Sequence, residues 1–195
     1  MNLLLRLVKI VSSTLIGFQA ISGPLDELRK KADEGDAKAQ FNLGLMYAGG
    51  EGVTKDAAEA VKWFRRAADQ AHPEAQHNLG VAYAHGWGVP QDATEAVKWY
   101  RRAADQGLAD ALYGLGLMYA NGDGVPASDV EAHIWFTRAI EAGHAEAAGG
   151  RRVLESRMTG AQIAEAQRFC REFKPQKATP TQDDARKAGV NKLER

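Results

Sequence analysis

The sequence predicts an all-α solenoid, a stack of helix–loop–helix units. Three observations predict it. The chain repeats every 36 residues, three times without a gap: Leu43, Gly44, Tyr47 and Trp63 recur as Leu79, Gly80, Tyr83 and Trp99, then as Leu115, Gly116, Tyr119 and Trp135. Each unit holds two stretches with apolar residues at helical spacing. A Gly-x-Gly-Val segment separates those stretches every time. A period of this length marks units that cannot bury their apolar faces alone and must stack. Such an architecture is usually built to hold something.

Taken in chain order, residues 1–22 read as a signal peptide. Arg6 and Lys9 precede an apolar stretch, Ile10 to Ile21, and Ala20 and Ser22 stand at small-residue cleavage positions before Gly23. That predicts a periplasmic or secreted protein if the signal is used, and a cytoplasmic one otherwise. The stretch falls short of the ~20 apolar residues of a membrane span, so no stable transmembrane anchor is expected. Residues 24–36 read as a half-repeat, with a helix of the second type leading into the first unit.

The units are 37–72, 73–108 and 109–144. In the first, Ala39, Leu43, Met46 and Tyr47 share one helix face, and Ala60, Trp63, Phe64, Ala67 and Ala68 share another. Between them, Gly50 supplies the left-handed cap that ends a helix. Gly86 and Gly122 are its counterparts, and Pro90 and Pro126 then fix the chain before the next helix. A glycine inside a helix costs ~1 kcal/mol against alanine. Keeping Gly44, Gly80 and Gly116 predicts another helix pressed against the backbone there, with Ala60, Ala67, Ala96 and Ala103 on its side. The tryptophans are expected to fill the space between successive hairpins.

Beyond the units, residues 145–173 read as capping helices. Ala145 to Met158 begins like a fourth unit and then diverges. Thr159 is placed to cap a helix from Gly160 to Phe173 with Ile163, Ala166, Gln167 and Cys170 on one side. End units must cover the last open apolar face, so atypical sequence is expected there. Residues 174–195 read as a polar, disordered tail with a short helix near Asp183–Leu193.

These residues carry a family resemblance. Leu43-Gly44-x-x-Tyr47, Gly50-x-Gly52-Val53 and Glu59-Ala60-x-x-Trp63-Phe64-x-Arg66-Ala67 resemble the Sel-1-like repeat, a relative of the tetratricopeptide repeat. The 36-residue period, and Gln40, Gln76 and Leu112 where a tetratricopeptide tryptophan would stand, favour the Sel-1-like member. The resemblance implies a right-handed superhelix of antiparallel helix pairs. It further implies a protein-binding scaffold that assembles or regulates complexes, often at a bacterial envelope.

Catalytic chemistry is not legible. Formal net charge is zero over 195 residues, with no basic excess to predict a nucleic-acid partner. The pairs Arg65-Arg66, Arg101-Arg102 and Arg151-Arg152 read as solvated helix faces. Cys170 stands alone, which excludes an intramolecular disulfide and a multi-cysteine zinc site. It reads as a small buried residue. No G-x-S-x-G elbow, H-E-x-x-H or phosphate-binding glycine loop occurs. His72 and His77 lie about 140° apart on a helix, a poor start for a metal site. The glycines of Asn121-Gly122-Asp123-Gly124 lack the oxygen pattern of a calcium loop. No catalytic residue, cofactor or metal is therefore assigned, and the chain is read as not an enzyme. Two other functions stay open: a hydrolase or binder of cell-wall or β-lactam-like ligands, and a self-associating structural module. Cysteine-rich relatives suggest the first, but their cysteine pairs are missing here.

What remains is surface. By analogy with tetratricopeptide geometry, the first helix of each pair lines a concave face, and a protein or peptide partner is expected on it. The positions that differ between units are the candidates: Phe41, His77 and Tyr113; Asn42 and Asn78; His85 and Asn121. The asparagines could offer an amide donor and acceptor to a peptide backbone. The three rings could form a stacking ridge or pack helix to helix. Trp87 stands alone in its loop, where the other units have Glu51 and Asp123, and could anchor a contact.

Overall fold

The computed structural model describes residues 23–172, which form nine helices and no strand. The expected signal peptide at 1–22 and tail at 174–195 lie outside the described residues. The helices are α1 (Pro24–Asp33), α2 (Ala37–Gly49), α3 (Ala57–Asp69), α4 (Pro73–His85), α5 (Ala93–Asp105), α6 (Ala109–Asn121), α7 (Asp129–Glu141), α8 (Ala147–Glu155) and α9 (Gly160–Glu172). Helices α2/α3, α4/α5 and α6/α7 form three pairs, and each pair packs on the next through the second helix of one and the first of its successor.

Local chemistry sets the boundaries. The second helix of each pair starts at a side-chain cap: Asp56 accepts from the Glu59 amide, Asp92 from Glu95 and Ser128 from Glu131, at 3.0, 3.0 and 3.2 Å. The first helices end at Gly50, Gly86 and Gly122, all left-handed with φ of +82°, +71° and +81°. The connecting loop is closed identically each time, since the carbonyls of Tyr47, Tyr83 and Tyr119 accept from the amides of Asp56, Asp92 and Ser128 at 2.9 Å.

The tryptophans fill the space between hairpins as expected. Trp63 packs with Ala32, Ala39 and Leu43, and Trp99 with Phe64, Leu79 and the small residues of the first pair. The helical glycines are explained differently. A Cβ on Gly44, Gly80 or Gly116 would lie 2.6, 2.6 or 2.5 Å from the ring of Phe64, Tyr100 or Phe136. The element pressed against them is an aromatic ring of the same unit's second helix, joined at Gly44 by the Ala60 carbonyl oxygen at 3.3 Å. A flat ring can reach a bare backbone where a Cβ would block it.

Polar ladders join the stack. Buried Gln40 donates to the Ala32 carbonyl and accepts from Gln70; Gln76 donates to the Ala68 carbonyl and accepts from Gln106. In the third unit both partners change together, to Leu112 and Ala142, and the site becomes apolar. The arginine pairs are also more than solvated faces. Arg65 donates to the Tyr83 hydroxyl and Arg101 to that of Tyr119, each bridging to the next unit. Arg66 and Arg102 lie over the rings of Trp63 and Trp99, at 4.3 and 4.4 Å from their centres.

At the C-terminal end the frame continues into α8 and then changes. Ala147 and Leu154 remain buried in repeat-related positions. Glu155 stands where the tyrosines stand, and buried His133 replaces the valine of Val61 and Val97. His133 Nε2 lies 2.9 Å from the Glu155 carboxylate, which also meets Arg151 at 3.3 Å. Arg151 and Arg152 occupy the leucine and glycine positions, so the usual second helix cannot seat. Instead α9 folds back on α7. It begins at a reciprocal box in which Thr159 caps the Gln162 amide and Gln162 accepts from the Thr159 amide. Ala166 is buried, Ile163 and Cys170 are half-buried, and Gln167 is exposed.

Candidate protein-interaction face

The first helices α2, α4, α6 and α8 each have one face that no other described residue covers. Helical spacing puts positions i, i+4, i+7 and i+11 on it. Read across the units, the face carries four rows. They are Lys38, Glu74, Asp110 and Glu146; Asn42, Asn78, Gly114 and Gly150; Leu45, Val81, Leu117 and Val153; and Gly49, His85, Asn121 and Arg157.

The third row decides the character of the face. Leu45, Leu117 and Val153 are 43%, 39% and 71% exposed, and with Trp87 and Phe169 they are the large apolar residues left open to solvent among the described residues. Three of those five occupy a single repeat position. Scattered exposed apolar residues need no explanation, but a stripe in register across units does. Motif reading overlooked this row because an apolar residue kept in every unit reads as core. The signal was present: Leu45, Val81 and Leu117 stand two residues after the buried leucines, about 200° away from the core face.

Between the first and second units the stripe opens into a cleft of about 570 Å³. Its walls are Leu45 and Ala48 of α2, Val61 and Phe64 of α3, and Asn78 and Val81 of α4. Trp87 stands on its rim, 59% exposed and stacked on His85 with ring centres 4.9 Å apart. Asn78, His85 and Trp87 are thus brought together at one opening. Asn42 is half-buried one helical turn before Leu45, and exposed Asn121 donates to Asp123 at 3.2 Å.

Phe41, His77 and Tyr113 sit deeper. Their rings meet Phe64, Tyr100 and Phe136 at 5.9, 5.6 and 5.6 Å. Phe41 and Tyr113 also stack on His72 and His144, which lead into the first helix of the next unit, at 4.7 and 4.2 Å. Much of their ring surface is spent on helix-to-helix contact. Burial holds the His77 imidazole below its usual pKa, against the opposing hydrogen bond of its Nδ1 to the Asn78 Oδ1, and keeps it inclined to neutrality. Burial likewise pushes the Tyr100 phenol up to about 12 and raises the Cys170 thiol. A thiol shifted that way is a poor nucleophile at neutral pH.

The sequence model of the Sel1 repeat matches residues 37–72, 73–108 and 109–144. The chain belongs to the Sel1 repeat family. Sel1 repeat proteins are in general non-catalytic scaffolds for protein interaction. A curated relative is the secretory immunoglobulin A-binding protein EsiB of Escherichia coli, 49% identical over 41 residues, which are 21% of this chain and 8% of EsiB. A Sel1 repeat protein from Oxalobacter formigenes is 42% identical with a TM-score of 0.59, over 62% of this chain and 49% of its own. The protective antigen c5321 of uropathogenic Escherichia coli, which displays an SLR fold, is 30% identical with a TM-score of 0.58, over 86% of this chain and 44% of its own. Each of these matches thus covers less than half of the relative's own chain. The Sel1 units provide the all-α solenoid, and no described helix is long and apolar enough to cross a membrane.

Proposed function

We propose that the chain is a non-enzymatic adaptor that binds a partner protein on the concave face formed by α2, α4, α6 and α8. The observation that carries this is the in-register stripe of Leu45, Val81, Leu117 and Val153. Covering it would remove apolar surface from water at ~25 cal/mol per Å². The cleft beside Val81, with the Asn78 amide and the Trp87 indole at its edge, is where the most discriminating contact is expected. Asn42, His85 and Asn121 would extend it, and Phe41, His77 and Tyr113 would support the face from beneath. The signal-like sequence of residues 1–22 supports a setting at the cell envelope or outside it; without cleavage and export the setting is the cytoplasm.

The test is site-specific photo-crosslinking in intact cells. A photoreactive residue is placed at Val81 or Leu117, and at exposed Lys98 of α5 as a control. A discrete protein adduct from the first two positions, absent from Lys98 and recovered outside the cytoplasm, is the expected result. Equal adducts from all three positions, or none from the stripe, would refute the assignment of the face.

A further inference from the structure

We infer that the segment seated on the stripe is a cationic amphipathic helix of the partner. This rests on the interaction face proposed above and adds the chemistry of its occupant. The stripe needs an apolar surface laid across it. Carboxylates line one side of it, and the other side is mixed. Exposed Glu74, Asp110 and Glu146 form one row, and Glu51 and Asp123 stand in the loops beyond the other flank.

The cations nearby offset little of this. Lys38 and Lys55 both belong to the first unit, and Lys55 lines the cleft there, so the acidic stretch begins at the second unit. Arg157 is held by the Asp129 carboxylate at 2.6 Å and the Ala120 carbonyl at 3.1 Å. Glu74 and Asp110 meet no lysine or arginine among the described residues; their ion-pair partners are histidines, His72 at 3.2 Å and His144 at 3.6 Å. Among the described residues, the field along the Glu74, Asp110 and Glu146 side is therefore set by acids.

Geometry favours a helix over an extended segment. Glu74, Asp110 and Glu146 precede Val81, Leu117 and Val153 by seven residues, which is about 10 Å along the helix axis. A helix is about 10–12 Å wide with its side chains. Lying with its apolar side on the stripe, it would bring lysines on one flank to the row of Glu74, Asp110 and Glu146, and a lysine on the other to Asp123. An extended strand projects side chains above and below its own plane, and those beside the stripe would fall short. Helix-in-groove recognition of this kind uses apolar anchors at i, i+3 or i+4 and i+7.

Three labelled 18-residue peptides test it against the full chain by fluorescence anisotropy. One has leucines at helical spacing with lysines on both flanks. The second replaces every lysine by glutamate, and the third scrambles the first. The first is expected to bind saturably and the others at least tenfold more weakly. A triple variant, E74K/D110K/E146K, should lose tenfold or more for the lysine peptide and gain for the glutamate peptide. All three residues are exposed, so its helical circular dichroism at the assay temperature should match that of the native chain, with a lower melt because Glu74 and Asp110 lie in first turns; a glutamine triple at the same positions gives a milder form of the same loss. The inference is overturned if the glutamate or scrambled peptide binds the native chain equally well, if charge reversal changes nothing, or if no peptide binds. Those results leave the crosslinking outcome intact, so the two readings can fail separately. Replacing Leu45, Val81 and Leu117 by serine should weaken the lysine peptide severalfold; undiminished binding there would count against both.

Discussion

Replacing Gly88 by alanine tests how tightly one repeat seats on the next. Gly88 lies in the loop of the second unit with φ of +71°. A Cβ there would stand 2.2 Å from the carbonyl oxygen of Ala57 and 2.8 Å from the amide nitrogen of Ala58. Both are backbone atoms at the start of α3, so no side chain can rotate aside. Gly52 is the internal control. Its φ is +70°, but its nearest neighbour would be the flexible end of Met46 at 3.3 Å, because no full unit precedes it. Both substitutions incur the left-handed cost of about 1–2 kcal/mol. Gly88→Ala alone must also push the second unit off the first, an overpacking cost of about 1–3 kcal/mol. The expected losses are about 2–5 kcal/mol for Gly88→Ala and about 1–2 kcal/mol for Gly52→Ala. With a slope of about 2 kcal/mol per molar urea, their unfolding midpoints should differ by about 0.5–1.5 M. Coincident midpoints would show that the units are not seated backbone to backbone at this glycine.

Two further outcomes are expected. Gln106→Ala leaves the buried Gln76 oxygen without its donor and should cost about 1–3 kcal/mol; adding Gln76→Leu, which reproduces the third unit's pairing, should recover part of that loss, and a double variant less stable than Gln106→Ala would contradict the buried ladder. For His77 the folded pKa is depressed by burial, so its contribution is complete above the unfolded value of about 6.5 and is lost as pH falls below it toward the folded value. His77→Tyr, matching Tyr113, should flatten the fall of Tm between pH 7.5 and 5, and an unchanged slope would show that the imidazole is not protected.

The sequence by itself determined the helix pairs and their order. The 36-residue period, the glycine caps and the placement of Trp63, Trp99 and Trp135 are consequences of local backbone chemistry and of helical spacing, both of which are written in a single strand of text. It also predicted that something presses on Gly44, Gly80 and Gly116. Which group presses was decided by tertiary packing, since the direction of the Phe64, Tyr100 and Phe136 rings depends on how the two helices of a pair cross. The same holds for Arg65 and Arg101, whose partners lie 18 residues away in the next unit. The candidate site was legible only in part. Asn78 and Trp87 could be chosen because they differ between units. Leu45, Val81, Leu117 and Val153 could not, because periodicity says which residues share a helix face but not whether a neighbouring helix covers that face. Only the stacking of the units turns Leu45, Leu117 and Val153 into exposed surface and leaves Val81 half-buried in the cleft wall.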